Sequence, residues 1–163
     1  RVPSAGSRTV DESRATVVRL MVPSESNFMG NVFGGSILAE IDRTAYITAT
    51  RHAGGTSVTA SFDRVDFIAP VHVGDVVEFD ATLTYVGSSS MEVWVAVRAE
   101  DLKGNPPRPV VNAFVTMVAI DDAGRPRSVP RLKLRTKDER RRFAEAERRV
   151  AARRKSRPIR RSN

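Results

Sequence analysis

Residues Asn27–His52 read NFMGNVFGGSILAEIDRTAYITATRH. From Ser36 to about His52 the apolar side chains Ile37, Leu38, Ile41, Ala45 and Ala49 fall within roughly 120° of one another at ~100° per residue, the spacing of a helix with one buried face. On both sides of this helix the pattern becomes that of strands. Arg14–Val22 is β-branched and apolar and stops at Pro23. After the Ala53-Gly54-Gly55 break, Thr56–Ile68 is extended in character, and Pro70 with Val73-Gly74-Asp75 makes a turn. From Val76 onward Val77, Phe79, Ala81, Leu83 and Tyr85 alternate with Glu78, Asp80, Thr82 and Thr84, one face apolar and the other polar. Gly87 and three serines reverse the chain, and Met91, Val93, Val95 and Val97 alternate again. Lys103–Pro107 is a second hairpin loop, and Val110–Ile120 is a further strand before the Asp121–Gly124 turn.

The order strand, helix, then a meander of about four strands predicts an α+β domain whose antiparallel sheet curls around one long helix, so that each buries the apolar face of the other. Thr136–Lys155 reads as a second, highly charged helix with a thin apolar stripe of Phe143, Ala146 and Val150, and Pro158 lies shortly beyond it. The expected organisation is an N-terminal extension over 1–13, one domain over 14–130, and a basic C-terminal helix and tail over 131–163.

A chain of 163 residues suits one domain with a real core. It has no cysteine, which excludes disulfides and thiolate metal sites and fits a reducing compartment, so the expected location is cytoplasmic. No run reaches the ~18 apolar residues of a membrane span. The formal charge of +8 is unevenly placed: residues 131–163 hold fifteen Lys/Arg and four Asp/Glu, whereas the first 130 hold twelve and fifteen. The body is therefore mildly acidic and the tail carries the basicity, which argues against a basic nucleic-acid-binding body. Apart from Phe143, on the apolar stripe of its helix, the tail has no aromatic residues interleaved with its arginines, so nucleic acid is not the expected partner.

Gly34 and Gly35, at the entrance of the helix, lack Cβ atoms and present N–H groups that have no helical partner, an arrangement suited to an anion or a developing oxyanion. Asp42 lies about 40° from Leu38 and about 20° from Ala49 around the helix axis, on the margin of the apolar face. A carboxylate there can act as a base beside hydrocarbon, or it can reach solvent or cap a neighbouring turn.

Taken together, Asn27, Gly30, Gly34, Gly35, Leu38 and Asp42 resemble the active-site segment of the hotdog-fold acyl-CoA thioesterases, in which Asn-x-x-Gly leads into Gly-Gly-x-x-Leu and a helical acidic residue. The resemblance continues through Val65-Asp66-Phe67, Pro70-Val71, Gly74-Asp75 and Ser89-Ser90-Met91-Glu92-Val93, and covers about Arg14 to Ile120. It implies hydrolysis of fatty acyl-CoA to a free acid and coenzyme A, at a site shared between two subunits. Asp42 would then be the general base on a water, or the nucleophile. Asn27 of the facing subunit would orient the water or substrate, and the Gly34 and Gly35 amides would receive the oxyanion. No metal or other cofactor is expected, because a thioester is already an activated acyl donor and coenzyme A is part of the substrate. Ser88, Ser89 and Ser90, in the turn matching the family's binding loop, with Arg64 behind them, are the candidate contacts to coenzyme A. The family's paired subunits imply at least a dimer, and a trimer of dimers as the expected assembly.

Two other readings share the fold. One is a non-catalytic acyl-CoA-binding regulator whose basic tail touches nucleic acid; Asn27 and Asp42 together favour catalysis instead. The other is a hydratase or dehydratase, which would need a catalytic histidine, and His52 falls late on the helix for that role. Asn31 is expected to cap the helix, Asp75 to hold its turn, His72 to be structural or exposed, and Trp94 to pack at a subunit contact.

Overall fold

The computed structural model describes residues 6–156. Its centre is a five-stranded antiparallel sheet of β2 (Ala15–Leu20), β3 (Ser57–Phe67), β4 (Val76–Val86), β5 (Ser90–Glu100) and β6 (Arg108–Ala119), in the order β2-β4-β5-β6-β3. The 20-residue helix α2 (Gly34–Ala53) runs across one face of it. Ile37, Ile41, Ala45 and Ala49 form its buried stripe, and the two alanines let the sheet come close enough to exclude solvent from both entirely. Facing them are the apolar halves of the alternating strands, among them Phe79, Val95, Ala113 and Val115, all fully buried. The helix ends at Gly54, whose left-handed φ of 65° lets its N–H bond the Thr50 carbonyl.

The alternation in β4 breaks once. Leu83 pairs with Val93, but Tyr85 pairs with Glu92, so a bulge turns Tyr85 to the opposite face from Leu83. The expectation that Tyr85 shares the Val77–Leu83 face is corrected by that bulge: its ring lies 5.1 Å from Phe143, under the C-terminal helix.

The flanking segments join the domain. β1 (Ser7–Thr9) runs parallel to β7 (Arg131–Lys133), and α1 (Val10–Ser13) begins with a capping box between Thr9 and Glu12. α3 (Lys137–Ser156) lies on the outer face of the sheet, with Ala146 and Val150 buried. Its arginines reach inward. Glu92, only 1% exposed, takes Arg149 at 2.8 Å and Arg153 at 3.4 Å, and Arg153 also meets Asp63 at 2.7 Å. Trp94 lies beneath the Arg142 guanidinium of α3, 4.4 Å from the ring centroid. Pro158 lies outside the described residues.

Candidate functional site

The segment before α2 forms a tight loop. Asn27 N–H bonds the Asn31 carbonyl at 2.7 Å, and Gly30, at φ 81°, returns its N–H to the Asn27 carbonyl. The Asn27 side-chain oxygen accepts two backbone N–H groups, from Met29 at 2.9 Å and Asn31 at 3.1 Å. Its amide NH2 is therefore the part of Asn27 left to face a ligand. Asn31 does not cap the helix: the N-cap is Phe33, and Asn31 Oδ1 instead accepts from His72 Nδ1 at 2.9 Å.

At the helix entrance the N–H groups of Ser36 and Ile37 both bond the Phe33 carbonyl, while those of Gly34 and Gly35 have no partner among the described residues. The two glycines differ in their surroundings. A Cβ on Gly34 would stand 3.3 Å from the ring of Phe67, which is 56% exposed and would have to give by a few tenths of an ångström, but a Cβ on Gly35 would meet nothing within 4 Å. Beside Gly34 opens a cleft of about 280 Å³ walled by Val32, Ile37, Phe67, Ile68, Pro70 and Val111, all apolar.

Asp42 is half-buried on α2, and its Oδ1 accepts from Thr59 Oγ1 of β3 at 2.5 Å. No cation pairs with it among the described residues. Two positions earlier Glu40 is the opposite case, 6% exposed and held by Arg19 at 3.1 Å and by Arg43, which makes it a structural ion pair. Sequence reasoning missed Thr59, because a threonine seventeen positions after the aspartate leaves no local pattern; only the crossing of α2 over β3 brings the two together. Gly35 and Asp42 are seven residues apart, roughly 10 Å along the helix axis. In one chain, then, the open amides and the carboxylate cannot both contact the same carbonyl group.

The remaining candidates lie elsewhere. Ser90 pairs with Val118, which in turn pairs with Val58, so the serine turn is two strands across the sheet from the neighbour of Thr59. The carbonyls of Ser88 and Ser89 accept from Val129 and Ala119, and the three hydroxyls make no hydrogen bond among the described residues. Arg64 pairs in register with Phe114, on the outer face that α3 covers, and bonds Asp66 at 2.7 Å. The chain does not bring Arg64 to the serine turn or to Asp42.

His52 is fully buried and structural: Nε2 donates to the Pro130 carbonyl and Nδ1 accepts from Ser13 Oγ, each at 2.9 Å. Burial holds its pKa below the ordinary histidine value, against the Pro130 hydrogen bond that favours the charged form. A histidine locked between two elements has no nitrogen left for substrate. Asp75 holds its turn as expected, 3% exposed, accepting the His72 N–H at 2.9 Å and Arg108 at 2.7 Å.

Residues 29–104 match the model of the thioesterase superfamily. An uncharacterized acyl-CoA thioester hydrolase of Bacillus subtilis is 38% identical over 132 residues, 81% of this chain and 77% of that protein. The cytosolic acyl coenzyme A thioester hydrolase of Mus musculus is 34% identical over 84% of this chain, which spans 36% of that longer protein. Among solved structures, an apo-hexameric acyl-CoA thioesterase superposes with a TM-score of 0.90 at 39% identity, covering 95% of this chain and 99% of that one. An acyl-CoA hydrolase of Staphylococcus aureus, in complex with butyryl coenzyme A, coenzyme A and coenzyme A disulfide, gives 0.85 at 37% identity, over 91% and 90%. With a sheet wound on a helix, open amides at that helix's entrance and relatives of this coverage, the chain belongs to the hotdog-fold acyl-CoA thioester hydrolases of the thioesterase superfamily.

Proposed function

We propose that this protein hydrolyses acyl-CoA thioesters to free fatty acid and coenzyme A at sites that two copies of the chain complete together. The observation that carries the mechanism is the Asp42 carboxylate, fixed at one oxygen by Thr59 and unpaired with any cation among the described residues. Its second oxygen takes a proton from a water as that water attacks the thioester carbonyl. The Gly34 and Gly35 amides of the facing copy receive the oxyanion, and the Asn27 NH2 from that copy orients the water or the carbonyl. When the tetrahedral intermediate collapses, the carbon–sulfur bond breaks and the Asp42 proton passes to the departing thiolate. Attack by Asp42 itself would instead leave an anhydride for water to open.

Two features support pairing. The 11-residue β3 has β6 as its one neighbour in the sheet and leaves its other edge open. Around it Phe28, Met29, Phe33, Phe62 and Phe67 are exposed, Phe28 at 99%, an apolar surface that water alone would not favour. A dimer through this surface, with dimers grouped in threes, is our reading of the assembly, in line with the hexameric state of a structural neighbour. The free hydroxyls of Ser88, Ser89 and Ser90 are proposed to meet the polar end of coenzyme A. Arg64, on the outer face, would reach a coenzyme A only from another copy. The proposed chemistry calls on no metal or further cofactor. Among the described residues no helix is long and apolar enough to cross a membrane, and the name of the murine relative supports a cytoplasmic location.

The test is free-thiol release from acyl-CoAs of rising chain length, with Asp42→Ala and Asn27→Ala proteins verified as folded and assembled. The parent should release thiol, and Asp42→Ala should fall by two or more orders of magnitude, as for loss of a general base. Tight binding without release from any acyl-CoA would refute the enzyme and favour the acyl-CoA-binding regulator.

A further inference from the structure

We infer that His72 and Asn31 are positioning residues that aim the Asn27 side chain for the reaction proposed above, and the inference rests on that reading. Within a single chain the loop that carries Asn27 has little packing to aim it: Phe28 and Met29 at its tip are 99% and 69% exposed, free to meet a second copy. Its shape therefore depends on hydrogen bonds. Asn27 Oδ1 is held by the N–H groups of Met29 and Asn31, so the direction of the Asn27 amide follows the position of Asn31. Asn31 in turn is held from outside the loop. It forms an antiparallel bridge with His72, and its Oδ1 accepts from His72 Nδ1 at 2.9 Å.

His72 is itself fixed. It opens the 72–75 turn, where its N–H bonds Asp75 Oδ2 at 2.9 Å and its carbonyl accepts the Asp75 N–H at 3.1 Å. Asp75 is buried and paired with Arg108, which also donates to the Pro70 carbonyl at 3.2 Å. A continuous path of hydrogen bonds thus runs from the Arg108–Asp75 pair through His72 and Asn31 to Asn27. The His72 side chain is exposed and fills no core space, so the path can be cut there without opening a cavity. The backbone bond from Val32 N–H to the Val71 carbonyl remains when it is cut.

The experiment is steady-state kinetics of His72→Ala, His72→Asn, Asn27→Ala and the His72→Ala/Asn27→Ala double variant, each with its melting temperature and assembly size. His72→Ala should lower kcat on the order of tenfold, the worth of one orienting hydrogen bond, with KM and melting temperature little changed. His72→Asn, whose amide can donate from near the Nδ1 position, should recover most of that rate. In the Asn27→Ala background, removing His72 should cost nothing further. Asn31→Ala, which cuts the same bond from its other end, should match His72→Ala and serves if that variant fails to fold. Unchanged kcat in both single cuts, or a His72 effect that persists undiminished without the Asn27 side chain, would overturn the inference. If Asn27→Ala alone leaves the rate intact, the fault lies in the role given to Asn27.

Discussion

Arg149→Ala should destabilise the protein far more than Arg148→Ala, although the two arginines are adjacent on the same charged helix. Glu92 is 1% exposed, and Arg149 meets its Oε1 at 2.8 Å while Thr84 Oγ1 donates to the same oxygen at 2.8 Å. Stripping one partner from a buried ion pair costs ~3–5 kcal/mol, because the other charge stays behind in low dielectric. Two facts reduce that figure here. The Arg149 side chain is 31% exposed, so water reaches the gap, and Arg153 remains near Oε2 at 3.4 Å. One fact adds to it, since the Arg149 guanidinium stacks 4.1 Å from the Phe114 ring centroid, worth ~0.5–1 kcal/mol. The net expectation is ~2–3 kcal/mol, and at roughly 2–4 °C per kcal/mol for a chain of this size the melting midpoint should drop by about 5–10 °C. Urea unfolding and calorimetry at one fixed protein concentration measure both, with concentration held because assembly contributes to stability. Arg148 is exposed and makes no ion pair among the described residues, so its alanine variant should stay within ~0.5 kcal/mol of the parent. Equal losses from the two variants would refute the view that Glu92 anchors α3 to the sheet.

Gly35→Ala should keep or slightly raise thermal stability, since alanine is favoured over glycine in a helix by up to ~1 kcal/mol and, beyond its own helix, nothing among the described residues lies within 4 Å of the new methyl. Its kcat/KM for acyl-CoA should nevertheless fall at least about tenfold as that methyl crowds the proposed oxyanion position, and full activity would remove Gly35 from the site. His52 sets an acid limit on stability. Its pKa is lowered in the folded state, so above about pH 6.5 neither state holds the proton and the full contribution is present. Below that the unfolded chain takes up a proton that the folded chain resists, and stability declines as pH falls toward the lowered folded value. A proton NMR titration of folded His52 with a midpoint at or above about 6.5 would show this sign to be wrong.

The long helix and the paired strands were legible because their signals are local. Ile37, Ile41, Ala45 and Ala49 repeat at helical spacing, and the β4 and β5 alternations match faces that are indeed buried. The T-x-x-E pattern of Thr9 to Glu12 is equally local and announces α1 within the segment expected to be an extension. Tyr85 was misplaced for a different reason: a bulge inserts one residue into a strand without changing its composition, and every side chain beyond it changes face. Asn31 looked like a cap because it precedes the helix. His72, forty-one positions away, takes its side-chain oxygen instead.

The tail shows why charge alone predicts contacts poorly. Fifteen basic residues over 131–163 suggest a surface waiting for a polyanion, but the described part of the tail uses several of them internally. Arg141 and Arg142 bond Asp138 within the helix, and Arg149 and Arg153 neutralise Glu92 and Asp63 of the body. The acidic excess of the body and the basic excess of the tail are thus partly two halves of one interface. Glu92 sits on the strand face opposite Val93, the face that α3 covers. Periodicity identifies which side chains share a face; whether that face meets water or another helix depends on a segment fifty residues further on. The same logic governs Asp42 and Gly35, whose spacing of roughly 10 Å along one helix is why the chemistry proposed for the motif calls on a second chain to bring its parts together.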